Sequence, residues 1–344
     1  MMTELEEIKR KTPIDRKVFL YAFLGVFGFL LLIAFLLPLI SAPSHTSPTA
    51  AAVHAQAPAE PAPVTSAQQK AIDENDGHSH DPLPPAPLKE LEEPLGTNTI
   101  PAIATDGRKP AQIYARPYNK DDIRPRISLV VGELGLSRTL SEAAINDLPG
   151  PATLVFSNYS SEPDGWMAKA RQSGHEVLLS IPMEPLEYPS SDPGPNALLT
   201  RNNNDENKAL LLKHLINGKG YIGVTSFSGS RMNTAAEKLK PLLEELNKRG
   251  LIWLDTNFTP FSVGDSTAKQ ISLASTKANA LIDDNMGIAA MDRILRDVEH
   301  DAVKIGRSVL LVQASPLAIS HLREWAKGLA AKHISLAPLS AVIE

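Results

Sequence analysis

The sequence predicts an α/β fold, a closed or nearly closed (β/α) barrel of seven or eight parallel strands, with an open doubly wound sheet as the alternative. Three observations predict it. Short apolar runs alternate with amphipathic ones from residue 126 to the end of the 344-residue chain. Alternation repeated this often is the pattern of a parallel sheet with crossover helices. No glycine fingerprint of the dinucleotide or P-loop kind follows any of the runs, which weakens a nucleotide-binding sheet.

The strands read in order as ISLVV, ATLVF, EVLLSI, YIGVT, LIWLD, ISLAS, SVLLVQ and HISLA. Each is a short apolar run of the kind buried on both faces. Between them the helical runs are SRTLSEAAIND, GWMAKARQSG, DENKALLLKHLING, TAAEKLKPLLEELNKRG, MGIAAMDRILRDVEHDAVKIG and PLAISHLREWAKGLAAK. In the fourth, Thr234 and Glu237 have the spacing of a capping box and Gly250 supplies a C-terminal stop.

Upstream the texture is different. Residues 18–40 run for 23 positions without a charge, enough at about 1.5 Å per residue to cross a bilayer core. A secretory h-region is shorter, about 7–15 residues, and Pro43 disfavours cleavage after Ala42, so an uncleaved anchor is expected. Lys9, Arg10, Lys11, Arg16 and Lys17 precede the span, and the next basic residue is Lys70. The positive-inside bias then puts residues 1–17 in the cytoplasm and the rest beyond the membrane, the periplasm of a Gram-negative cell. The expected location is the inner membrane, single-pass. Residues 41–125, rich in Pro and Ala, read as a disordered linker, in which the His78/His80 pair is solvated.

Bulk properties exclude some functions. With a net charge of −5 and no basic patch, nucleic acid is not an expected partner. Without cysteine there are no disulfides and no thiolate metal sites.

In either α/β architecture ligands bind at the carboxyl ends of the strands. Those positions carry Gly132 and Glu133; Ser180 with Met183 and Glu184; Thr225, Ser226 and Phe227 with Ser230 and Arg231; Asp255; Asp283 and Asp284; and Gln313. The rim offers carboxylates and hydroxyls without histidine. His175, His214, His300, His321 and His333 fall at strand starts or within helices and read as surface or packing residues.

The blocks ISLVVGELGLS, GHEVLLSIPMEPLEYPSSDPGPNALLT, GYIGVTSFSGSRMNT and GLIWLDTNFTPFSV resemble the divergent polysaccharide deacetylase family, relatives of the NodB-like carbohydrate esterases. The resemblance covers residues 126–344 and implies a distorted (β/α) barrel and a role in envelope carbohydrate metabolism. It also implies where the chemistry would lie. The family's Asp-Asp pair, base and metal ligand, falls on Gly132 and Glu133. Its strand-end histidine falls on Ser180, the histidine of its Asn-Asn-His-Met-Gly-Ser turn on Phe227, and that of its Gly-His-Pro on Gln313. Met183, Glu184, Pro185, Gly229, Ser230, Arg231, Asp255 and Asp284–Asn285 match.

Loss of imidazoles removes good neutral ligands, and loss of the base Asp removes the proton acceptor. The expectation is therefore a degenerate, glycan-binding domain using Glu133, Met183, Glu184, Phe227, Ser230, Arg231 and Asp255, with no cofactor and no assigned catalytic residue. Phe227 either stacks on a sugar ring or fills the vacated space. A divalent metal requires Glu133, Glu184, Asp255 and Asp284 to converge. An active deacetylase with such a rearranged site, and an envelope scaffold that binds a periplasmic protein, are the alternatives.

Overall fold

The computed structural model describes residue 70 and residues 79–343. The expected cytoplasmic segment 1–17, the membrane span 18–40 and most of the linker to residue 78 lie outside the described residues. Among the described residues no helix is long and apolar enough to cross a membrane.

Residues 79–125, expected to be disordered linker, are built into the domain. A 3-10 turn at Lys89–Leu91 leads into an antiparallel hairpin of β1 (Glu92–Leu95) and β2 (Asn98–Pro101), then a one-turn α1 (Pro110–Ile113). Leu83, Leu91, Ile100, Ala104 and Tyr114 of this strap are buried. Proline-rich chain has few amide donors, so its carbonyls need partners from elsewhere. Arginines supply them: Arg171 donates to Pro84 O at 2.9 Å and Tyr114 O at 2.7 Å, and Arg116 donates to Ser79 O at 3.0 Å.

The barrel follows as β3 (Arg126–Leu134), α2 (Arg138–Asp147), β4 (Thr153–Ser157), α3 (Pro163–Gln172), β5 (Val177–Met183), α4 (Asn204–Leu215), β6 (Gly223–Ser228), α5 (Ala236–Lys248), β7 (Ile252–Asp255), α6 (Gly264–Gln270), β8 (Ser275–Lys277), β9 (Ala280–Ile282), α7 (Ile288–Ile305), β10 (Arg307–Gln313), α8 (Pro316–Lys327) and β11 (Ser335–Leu336). The sheet order is β8-β7-β6-β5-β4-β3-β10-β9, with β11 beside β3, and every pairing is parallel.

One segment joins the two ends of that order. Its first half pairs with β7 and its second with β10, and between them Ala278 N donates to Asp255 O while Asn279 N donates to Val309 O. Residues 275–282 thus hand over from one end of the sheet to the other, leaving seven strand positions around the interior. The expected strand at residues 271–275 starts four residues late, because α6 and its turn occupy Gly264 to Ser272.

Strand alternation divides the core. Ile127, Leu129 and Val131 face the helices, whereas Val130, Val155, Leu178, Leu254, Val309 and Leu311 fill the interior. Leu91, Tyr114 and Leu339 join the interior cluster, so the strap and the C-terminal turn close its amino end.

The expected Thr234–Glu237 capping box does not form. Helix α5 starts at Ala236, and the Thr234 hydroxyl closes the preceding 3-10 turn on Arg231 O. A capping box is found instead on α4, between Asn203 and Glu206. Gly250 ends α5 as expected, in the left-handed region at φ 66°.

Candidate functional site

The carboxyl end of β3 is irregular. Its register with β4 shifts between Val131 and Leu134, and Glu133 lies at φ 63°, a conformation costly for a residue with a Cβ. The kink directs the Glu133 carboxyl toward β5, where Oε1 accepts a hydrogen bond from Ser180 Oγ at 3.0 Å. Burial pushes this carboxyl up from 4.5 to about 7, against the lowering effect of the Ser180 bond. Near neutral pH it can therefore donate or accept a proton.

Gly132, Thr225, Ser226, Thr256, Phe258 and Gln313 share the mouth with Glu133 around a cavity of about 20 Å³, room for roughly one water. The hydroxyls are already committed. Thr225 donates to Leu254 O at 2.8 Å, and Ser226 Oγ meets Thr256 Oγ1 at 3.1 Å and accepts from Asn233 at 3.2 Å. One carboxylate, several committed hydroxyls and a carboxamide do not fit a divalent metal of the deacetylase kind, which takes imidazole and carboxylate ligands together.

The other expected site residues act as fasteners. Glu184 Oε2 accepts from Thr200 Oγ1 at 2.7 Å and its Oε1 lies 3.4 Å from Arg231 Nε. Arg231 also donates to Leu186 O at 3.2 Å, and Ser230 Oγ accepts from Leu186 N at 2.9 Å. Met183 is buried in the helix-side core. These residues clamp the loop after β5 to the turn after β6. Asp255 is buried and accepts from Asn257 N at 2.9 Å, Ser262 Oγ at 2.7 Å and Asp265 N at 3.0 Å, which shapes the loop into α6. Asp284 lies exposed after β9, its pKa raised by a hydrogen bond with Asp283.

The four carboxylates proposed as a metal set therefore have separate partners, and no three His, Asp or Glu side chains converge among the described residues. Phe227 lies in β6 opposite Pro182, and its side chain is not among those described.

Two of the five histidines are packing residues, as expected. His175 is buried, with Nδ1 2.9 Å from Ala152 O and Nε2 3.0 Å from Ile145 O. Burial outweighs both carbonyls and holds it down at about 4. His214 lies between Asn158 Oδ1 and Asn196 O, each at 2.8 Å.

Sequence reasoning missed the apolar rim. Leu136, Tyr159, Leu186, Phe261, Ile288 and Leu317, each in a segment following a strand's carboxyl end, are exposed large hydrophobics, with Phe261 the most open at 75%. Tyr159 is braced by its hydroxyl, which lies 3.0 Å from both Pro193 O and Pro195 O, and Arg201 stacks over Tyr188 at 5.6 Å. Their sequence signal was an aromatic, Leu or Ile a few residues beyond β3, β4, β5, β7, β9 and β10.

Three comparisons bear on this arrangement. Residues 129–343 match the family model described as divergent polysaccharide deacetylase. A Haemophilus influenzae protein is 20% identical over 198 residues, 58% of this chain and 70% of that one. YibQ of Escherichia coli is 22% identical over 164 residues, 48% of this chain and half of YibQ. A crystal structure of an Agrobacterium tumefaciens protein superposes with a TM-score of 0.69 at 33% identity, covering 71% of this chain and 99% of that protein.

Proposed function

Because the chain belongs to the divergent polysaccharide deacetylase family, we propose that it is an inner-membrane-anchored periplasmic protein that binds an envelope glycan at the carboxyl-end face of its barrel without hydrolysing it. One observation carries the non-hydrolytic part: the mouth holds about 20 Å³ beside a single carboxyl that Ser180 already engages. That volume supports a reading in which an acetamide, a metal and an attacking water are not held there together. The glycan would lie across the rim, with Tyr159, Tyr188 and Phe261 offering faces to pyranose C–H groups. No cofactor enters this reading, and the partners are the envelope glycan or a periplasmic protein.

A second reading has its own support. A carboxyl held at about 7 in a cleft is the kind of group that serves as general acid or base. The full chain, reloaded with Zn²⁺, Co²⁺ or Mn²⁺, is assayed for acetate release from N-acetylated oligosaccharides and for retention on the same saccharides. Retention without acetate is expected. Acetate release abolished by Glu133→Gln would establish the catalytic reading instead.

A further inference from the structure

The exposed large hydrophobics of the described residues fall at two ends of the barrel. Six follow the strands' carboxyl ends, and the other three, Ile123, Val303 and Ile305, lie together at the amino end, exposed at 61%, 62% and 60%. Ile123 precedes β3, and Val303 and Ile305 end α7 just before β10; β3 and β10 are neighbours in the sheet. The three side chains line one open cleft of about 440 Å³ together with Arg124, Arg126 and Arg307.

The charge of this patch is mixed in sign and net positive. Lys120, Arg126, Lys304 and Arg307 stand around it against Asp121 and Asp301, and Asp122 is occupied by Arg124 at 2.8 Å. Aliphatic side chains ringed by Lys and Arg are suited to the boundary between anionic headgroups and acyl chains.

The strap leaves from the same end. Ser79 O is held by Arg116, which also donates to Gly174 O just before β5. Ser79 therefore sits at the amino end of the barrel, the end that carries the patch. In the sequence, the apolar stretch 18–40 with its basic flank precedes Ser79.

We propose that the amino end of the barrel docks, through Ile123, Val303, Ile305 and the surrounding basic side chains, on the surface of an anionic phospholipid bilayer. The docked domain then holds its carboxyl-end rim away from the membrane. This inference rests on the anchored reading of the chain, and the experiment separates the two.

The chain has no cysteine, so single labels are clean. The full chain carrying Ile305→Cys or Phe261→Cys is labelled with an environment-sensitive fluorophore and reconstituted into nanodiscs of phosphatidylcholine, with or without phosphatidylglycerol. Co-elution with discs of either composition reads anchoring. Quenching of the label by lipids spin-labelled on the acyl chain reads docking.

Docking gives quenching at position 305 but not at 261, only in the anionic discs, and reversed at about 1 M salt, where the Debye length is about 3 Å. Lys120→Glu with Lys304→Glu changes four charges on exposed side chains. At about fivefold in the docked-to-undocked ratio per charge near such a surface, it lowers that ratio at least a hundredfold. Val303→Ser, which leaves the charges in place, lowers it too. Anchoring with no quenching at 305 in anionic discs overturns docking while leaving the anchor. Equal quenching at both positions overturns it as well. So does a disulfide that links two unlabelled copies of the Ile305→Cys chain regardless of lipid charge, which would make the patch a self-association surface.

Discussion

Two buried groups of opposite habit are set against each other, and their titration is measurable. Glu133 is raised from 4.5 to about 7 and His175 lowered from 6.5 to about 4, in both cases chiefly by burial. For Glu133 the folded state keeps a proton that the unfolded state has lost, so its contribution is fully present below pH 4.5 and disappears as pH rises to about 7. For His175 the unfolded state binds the proton first, so its contribution is present above 6.5 and disappears as pH falls to about 4. Each amounts to about 3 kcal/mol in all, with a slope of about 1.4 kcal/mol per pH unit inside its window.

Between pH 4.5 and 6.5 the two slopes have opposite signs and cancel. Glu133→Gln keeps an acceptor for Ser180 and removes the carboxyl's titration. The variant should therefore gain on the native chain as pH rises, by about 3 kcal/mol between pH 4.5 and 7.5. Urea unfolding of both chains at half-unit pH steps gives the difference curve directly, and background titrations common to both drop out. A difference that stays within about 0.5 kcal/mol across the range would show a solvated Glu133, and the proton-holding mouth would be wrong.

Three further outcomes are expected. His175→Gln removes the imidazole's titration, so the variant should gain on the native chain as pH falls, by about 3 kcal/mol between pH 6.5 and 4, checked by the same titration. Asp255→Ala leaves three donors without their acceptor; it should cost about 3 kcal/mol, lowering Tm by about 6–12 °C for a domain of this size. A chain beginning at Arg126 exposes the interior that Leu91 and Tyr114 cover. At about 1.5–3 kcal/mol for each large side chain lost from Leu91, Ile100 and Tyr114, it should show no cooperative melting transition by circular dichroism.

Those side chains also show where sequence reading stops. The barrel's strands were legible because a parallel sheet buried on both faces leaves continuous apolar runs. The strap was not, because nothing in its own composition distinguishes a proline-rich segment in solvent from one whose carbonyls are met by Arg116 and Arg171, 37 and 87 positions away from Ser79 and Pro84. Glu133 was legible as an acid after LVVG, but its burial and its Ser180 partner came from a bulge and a register that no local pattern records. His175 was legible as a residue at a strand's start, whereas His214, inside a helix, meets Asn158 and Asn196 from the segments after β4 and β5, a contact that its place in a helical run does not record.

The family motif itself separates into two kinds of residue once contacts are assigned. Met183, Glu184, Ser230 and Arg231 match the pattern, and each holds backbone or core in place: a buried thioether, a carboxylate on Thr200 and Arg231, and a hydroxyl and guanidinium on the two polar groups of Leu186. Asp255 matches and shapes a loop. Gly132, Ser180 and Gln313 depart from it, and all three border the 20 Å³ mouth or, for Ser180, engage the carboxyl that does. Residues that shape a rim and residues that hold a reacting centre are under different physical demands, so one set can persist without the other. A motif match carried by the fasteners predicts this fold and this rim. It does not by itself predict hydrolysis, for which the groups at the mouth have to be read one at a time.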